Sequence, residues 1–232
     1  MRLAIIPARG GSKRIPRKNI KNFCGIPIIA WSIKAALESG CFDQIVVSTD
    51  DLEISKIARS YGATTPFIRP AEYSGDFSTT TSVIKHAIEW YEAQGTRLEY
   101  VCCIYPTAPF VNGEKLAKGL DLIRRNLCSY VFPVVEFDYP VQRAFKLVED
   151  GAIQMLDPSK FNCRSQDLEG VWHDAGQFYW GTPEAWKEEV QLFDGHSRPI
   201  KISRLESQDI DSIEDWKIAE LKFKFLLNRE SQ

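Results

Sequence analysis

Apolar residues fall in short continuous runs, separated by segments with helical spacing. Leu3-Ala4-Ile5-Ile6 is apolar throughout, which predicts a strand covered on both faces. A helix follows over 27–39, with Pro27 in its first turn and Gly40 as its stop. The next strand is placed at 44–48, around Ile45-Val46-Val47. Asp50 is expected to cap a helix that runs to Tyr61, ended by Gly62. A short strand is expected over 64–68. Val83, Ile84, Ala87, Ile88 and Tyr91 recur on one helical face and predict a helix over 80–94. A strand at 100–105, a helix at 114–126 and a strand at 130–135 complete the series.

Alternation of this kind predicts a mostly parallel sheet with helices on both faces, a three-layer α/β/α, Rossmann-like arrangement. The rhythm then breaks. Residues 137–170 are irregular, with turn-like segments at 149–151 and 157–158, and read as a small β-rich excursion or a dimer arm. Short strands resume at 177–180 and 199–202. A last helix is expected over 212–228, and Ser212-Ile213-Glu214-Asp215 has capping-box spacing at its head. The length of 232 residues fits a single domain, 1–232, with 137–170 as its excursion.

Charge changes this picture. The chain holds 29 basic and 31 acidic residues, yet its first 37 residues carry eight of the bases and no acid. Most of those bases lie in one loop directly after the first strand. Gly10 and Gly11 permit close backbone approach and positive φ, Ser12 adds a hydroxyl, and Arg9, Lys13, Arg14, Arg17 and Lys18 supply charge. Arg suits bidentate phosphate contact and Lys acts as a mobile point charge. Such a loop, at the carboxyl end of a strand in an open sheet, is suited to a polyanion such as a triphosphate. It matches neither the G-x-x-x-x-G-K-[ST] phosphate loop nor the dinucleotide G-x-G-x-x-G, which argues against an ATPase or a nicotinamide enzyme. A solvated basic loop or a nucleic-acid patch is the alternative. An RNA-binding module would need further basic residues and exposed aromatics on a sheet, and neither is visible. The six Cys form no C-x-x-C pair, and on a strand Cys102 and Cys103 would point to opposite faces. Reduced thiols in a cytoplasmic protein are the expectation. The first strand begins at once and no apolar run approaches roughly 18 residues, so neither a signal peptide nor a membrane span is expected.

Near the other end, Asp209 and Asp211 are spaced to project to one side of an extended segment. From spacing alone, a solvated pair or a helix-start feature is the simpler reading.

Residues 7–19 resemble the signature of the CMP-sugar synthetases, cytidylyltransferases that activate sialic-type and Kdo-type acids. The similarity extends along the chain through Val47-Ser48-Thr49-Asp50, Phe67-Ile68-Arg69-Pro70-Ala71-Glu72, Tyr105-Pro106-Thr107-Ala108-Pro109-Phe110 and Gln208-Asp209-Ile210-Asp211. Segments 161–167 and 173–180 most resemble the branch that acts on pseudaminic acid. The resemblance implies a nucleotidyltransferase fold and transfer of CMP from CTP to the anomeric hydroxyl of a nonulosonic acid, with release of pyrophosphate. It implies Mg2+ on Asp209 and Asp211, with Arg9, Lys13 and Lys18 as the catalytic cations. Ala8, Arg9, Gly10, Gly11, Ser12, Lys13, Lys18, Asn19, Arg69, Ser78 and Thr79 are the implied CTP contacts, although hydroxyls at 78–82 would also serve as helix caps.

Tyr105 stands where sialic acid enzymes tend to carry Gln, which favours a different nonulosonic acid. Arg143 and Arg164 are candidates for the sugar carboxylate or for an acid of a partner chain. Gln166, Asp174, Gln177 and Tyr179 offer donors and acceptors to N-acyl and hydroxyl groups, and buried network members would look the same. His173 reads as a structural donor. The resemblance further implies a homodimer built through 137–170 and a product that feeds bacterial surface glycosylation. Sialic, legionaminic and Kdo cytidylyltransferases, and an inactive partner subunit, are the rival readings.

Overall fold

The computed structural model describes residues 1–126, 128–149 and 151–230. β1 (Arg2–Pro7) leads into the basic loop, a small hairpin of β2 (Asn22–Phe23) and β3 (Ile26–Pro27), and α1 (Ile28–Glu38). Then follow β4 (Gln44–Ser48), α2 (Leu52–Ser60), α3 (Thr80–Ala93), β5 (Tyr100–Ile104), α4 (Gly113–Asn126) and β6 (Tyr130–Glu136). A second hairpin, β7 (Phe145–Leu147) with β8 (Ile153–Met155), lies within the excursion. β9 (Trp172–Asp174), β10 (Phe178–Gly181), α5 (Pro183–Lys187), β11 (Ser197–Lys201) and α6 (Ile213–Glu230) close the chain.

The main sheet runs β11-β6-β10-β5-β1-β4, with β9 also paired to β6. β1 is parallel to β4 and β5, and β6 to β11, while β10 is antiparallel to both its neighbours. Side-chain alternation then fixes the layers. Leu3, Ile5, Val101 and Cys103 pack with Ile84 and Ile88 of α3 and Trp186 of α5. Ala4, Ile6, Cys102 and Ile104 pack with Ile29 and Ile33 of α1, Ile54 of α2 and Leu116 of α4. Burying one such Ile or Leu stabilises the fold by roughly 1.5–3 kcal/mol. A third cluster joins Ile15, Phe23, Phe110 and Ile210 to Trp216 and Phe223 of α6. It pins both ends of the chain together beside the sheet.

Several expectations need correction. Residues 64–68 form no strand, only a single bridge from Thr64 to Val46, since Pro66 and Pro70 interrupt the segment. Asp51, not Asp50, caps α2, accepting from the Glu53 and Ile54 amides at 2.9 Å each. Asp50 is engaged by the basic loop instead. Pro27 is the residue before the first turn of α1 rather than within it. β2, β3, β9 and α5 were not anticipated, being too short to show a period. The turn expected at 149–151 includes Asp150, which lies outside the described residues. The capping box at Ser212 is present, with the Asp215 amide donating to Ser212 Oγ and the Ser212 amide donating back to Asp215 Oδ2. Among the described residues, no helix is long and apolar enough to cross a membrane.

Candidate active site

β1 and β4 are parallel and end at the same rim, and the basic loop folds over that rim. Ala8 is buried beneath the loop, its amide donating to Ser48 O at 2.9 Å. The Gly10 amide donates to Asp50 Oδ1 at 2.9 Å, and a Cβ on Gly10 would stand 2.7 Å from Asp51 Oδ2. Close approach is therefore what requires glycine here. The positive φ expected at Gly10 and Gly11 is found instead at Arg17, with φ 55°. Asn19 is buried and holds the loop shut, its Nδ2 donating to Arg9 O at 2.9 Å.

The loop, the segment after Arg69 and the start of α3 enclose a cavity of about 460 Å3. Arg9, Ser12, Lys13, Arg14, Lys18, Asn19 and Arg69 face it, together with Ser78 and Thr79. Ala8, Gly10 and Gly11 shape the loop behind this lining. Arg17 turns away to pair with Asp51 and Glu53, so its charge is spent on tying the loop to α2. Arg9 Nη1 bonds Asp76 Oδ1 at 3.0 Å, and Lys13 Nζ bonds Asp76 Oδ2 at 2.5 Å. Arg69 is buried, bonded through Nε to Ser74 Oγ at 3.2 Å, with Asp50 3.6 Å from its Nη2. Thr79 caps α3, its Oγ1 accepting from the Ser82 amide at 3.1 Å, so the capping and cavity-lining readings of this hydroxyl hold together.

The two ends of the sequence meet at Lys18. Its Nζ donates to Ile210 O at 2.5 Å, across 192 positions, and lies 3.7 Å from Asp211 Oδ1. Burial pushes the Lys18 pKa down, and the Asp211 charge opposes that shift. Arg14 pairs with Asp211 Oδ2 at 2.5 Å. Ile210 is sunk in the α6 cluster, which leaves Asp209 exposed and Asp211 half-buried on either side of it. Asp209 also borders a cleft of about 370 Å3 with His173 and Lys222. Among the described residues no three His, Cys, Asp or Glu gather as a closed metal cage. Neither Asp209 nor Asp211 lines the phosphate cavity, but Asp211 pairs with Arg14 and Lys18 of its lining. Hard carboxylate oxygens of this kind fit magnesium, which usually keeps waters and substrate oxygens in its shell.

A second cavity, about 310 Å3, adjoins the first and shares Thr80 and Tyr105 with it. The Tyr105 hydroxyl is 3.4 Å from Thr80 Oγ1, and its ring centre is 5.5 Å from that of Tyr179. Tyr179 donates to Asp174 Oδ2 at 2.6 Å, and burial pushes its phenol pKa up. Gln177 is buried, with Nε2 on Glu206 O at 2.5 Å and Oε1 unpartnered. The structure thus brings Tyr105, Asp174 and Tyr179 together. It does not bring Arg143, Arg164 or Gln166 to either cavity. Arg143 bonds Ser165 Oγ at 3.4 Å, Arg164 pairs with Asp167 at 2.7 Å, and Gln166 borders a separate cleft beside Phe137. The His173 ring contacts the Asp174 carbonyl at 2.8 Å. Sequence reasoning missed Asp50 and Asp76 as partners of the loop, and missed Trp186, Leu192 and Phe193 in the second cavity. No sequence signal marked these three, since their role comes only from the cavity that brings them together.

A cationic loop at the carboxyl ends of parallel strands, joined by ion pairs to an acidic segment, defines an α/β protein with a site suited to polyanions. Its fold is that of the nucleotidyltransferases. The structure of CMP:2-keto-3-deoxy-manno-octonic acid synthetase complexed with CTP superposes with a TM-score of 0.69 over 99% of both chains, at 14% identity. 4-Diphosphocytidyl-2C-methyl-D-erythritol synthase from Anaerococcus prevotii gives 0.64 over 96% of this chain and 98% of its own, also at 14% identity. Residues 3–148 match the cytidylyltransferase family profile. Pseudaminic acid cytidylyltransferase of Campylobacter jejuni serotype O:2 is 45% identical over 229 residues, covering 99% of this chain and 98% of that one. CMP-N,N'-diacetyllegionaminic acid synthase of Legionella pneumophila is 30% identical, covering 99% and 98%. The chain belongs to the cytidylyltransferase family.

Proposed function

We propose that the protein transfers CMP from CTP to the anomeric hydroxyl of pseudaminic acid, with magnesium as its metal. The observation that carries this reading is the junction at Lys18, where the basic loop meets the Asp209–Asp211 segment through Ile210 O and Asp211. The choice of acid rests on the 45% identity across nearly the full length of both chains.

In this reading the anomeric oxygen attacks the α-phosphorus and the bond to pyrophosphate breaks. Negative charge then grows on the phosphoryl oxygens and on the leaving group. Arg9, Lys13, Arg14 and Lys18, which line the cavity, spread that charge. Asp209 and Asp211 would hold magnesium, which supplies Lewis-acid polarisation of phosphate oxygens when bound. Tyr105 and the Tyr179–Asp174 pair offer hydroxyl and carboxylate contacts to the sugar acid, and Trp186 and Leu192 offer an apolar wall to its acyl methyl groups.

A homodimer belongs to the same proposal. The β7–β8 hairpin exposes Phe145, Leu147 and Ile153, and a lone two-stranded hairpin is marginal without a covering surface. A partner chain seated there would meet Arg143 and Arg164. The reduced thiols suit a cytoplasmic enzyme.

Pyrophosphate release with CTP and a panel of pseudaminic, legionaminic, sialic and Kdo acids tests the function, each run with magnesium and with chelator. The highest kcat/KM is expected with pseudaminic acid, and chelator should abolish it. Release with none of the acids, or preference for another acid, overturns the reading.

A further inference from the structure

Among the described residues, Asp76 is the one carboxylate paired with both Arg9 and Lys13 of the phosphate cavity. It bonds Arg9 at 3.0 Å and Lys13 at 2.5 Å, and the neighbouring Gly75 carbonyl accepts a second bond from Arg9 at 3.1 Å. The tip that carries it has little else to hold it. Phe77 is 99% exposed, so the tip gains almost nothing from apolar packing. Its remaining ties are local, from Ser78 Oγ to Glu72 O at 3.1 Å and from the Ser78 amide to Gly75 O at 3.3 Å.

We infer that Asp76 is an internal counter-anion: it occupies Arg9 and Lys13 while the cavity holds no phosphate, and it competes with phosphate for both. The inference rests on the reading of this cavity as the CTP site. A carboxylate and a phosphate oxygen ask for the same donors from a guanidinium and an ammonium. Binding of a triphosphate therefore exchanges one charged partner for another and displaces the Gly75–Phe77 tip. When pyrophosphate leaves, Asp76 takes the cations back, which limits how tightly the product is held. Asp76 is thus a positioning residue that acts through Arg9 and Lys13.

The test is calorimetric titration of the magnesium-loaded protein with CTP and, separately, with pyrophosphate, for the wild type and Asp76→Asn. Asp76→Asn should bind both about three- to tenfold more tightly, the range set by losing one or two partly exposed ion pairs. Pyrophosphate should inhibit the variant at correspondingly lower concentration. In a Lys13→Ala background the gain from Asp76→Asn should shrink, because one of the released cations is missing. Weaker binding by Asp76→Asn would show that Asp76 orients the cations for phosphate and overturns the inference. An equal gain with and without Lys13 also overturns it, pointing to general charge repulsion. A wild type that binds neither ligand defeats the CTP-site reading itself, a result distinct from both. A Phe77→Trp reporter adds a structural readout. Its emission should shift on CTP addition, and an unchanged spectrum at saturation argues against displacement of the tip.

Discussion

The basic loop and the excursion at 137–170 both present cations, but they use them at opposite ranges. Loop cations reach across the chain, Lys18 to Ile210 over 192 positions and Lys13 to Asp76 over 63. Excursion cations stay home, with Arg164 on Asp167 three positions away and Arg143 on Ser165. The loop is held in place by the sheet rim, the α2 cap and the α6 cluster. The excursion is held by one exposed hairpin, short turns and a solvent-exposed ion pair from Asp138 to Arg204. A site made of long-range contacts is finished within one chain. A segment whose contacts are mostly local and whose apolar residues face outward gains its firmest placement when a further surface covers it.

This contrast is open to direct tests. The largest expected effect is at the carboxylates. Asp211→Asn and Asp209→Asn should each lower kcat by on the order of a hundredfold or more, the scale of a lost metal contribution to transition-state charge. Far-UV circular dichroism should stay unchanged. Near-normal turnover in magnesium for both variants would detach the acidic segment from the loop. Next come Arg143→Ala and Arg164→Ala. If they complete a neighbouring subunit's acid site, each should raise the KM for the sugar acid about tenfold, as for a lost charge-assisted hydrogen bond, and leave the KM for CTP alone. A change confined to CTP would erase the distinction between the regions.

Gly10→Ala probes the packing of the loop. The new Cβ would stand 2.7 Å from Asp51 Oδ2 and disturb the α2 cap, for a loss of about 1–2 kcal/mol and a Tm lower by about 2–8 °C. An unchanged Tm would mean that the loop yields freely. The smallest effect is acid sensitivity at the same joint. The Arg17 hydrogen bond holds the Asp51 carboxyl below its usual range. Its contribution is present above the ordinary carboxylate pKa and fades as pH falls through the lowered folded value. The Tm gap between wild type and Asp51→Asn should close in that acid window, and a constant gap would remove Arg17 as the cause.

Much of this was readable from sequence where the cause is local. β1 and β4 showed continuous apolar runs, α3 its helical period, and the Ser212 box its spacing. The basic loop also declared itself, because clustered charge after a strand has few structural uses. What stayed hidden depends on distant partners. Asp50 and Asp51 are adjacent and chemically alike, yet one holds Gly10 and the other caps α2. Asp76 became visible as a partner only once the fold set its loop against Lys13. β9 and α5 are too short to carry a period, and Trp186 and Phe193 gained meaning only from the cavity they share.

Cys102 and Cys103 are consecutive on β5, fully buried, and belong to different layers of the molecule. Burial raises both thiol pKa values, which suppresses the reactive thiolate. An alkylating reagent reaches Cys102 only when the α1–α4 side lifts, and Cys103 only when the α3–α5 side does. Peptide-resolved labelling of this pair would therefore time the separate opening of the two helical shells with no foreign probe introduced.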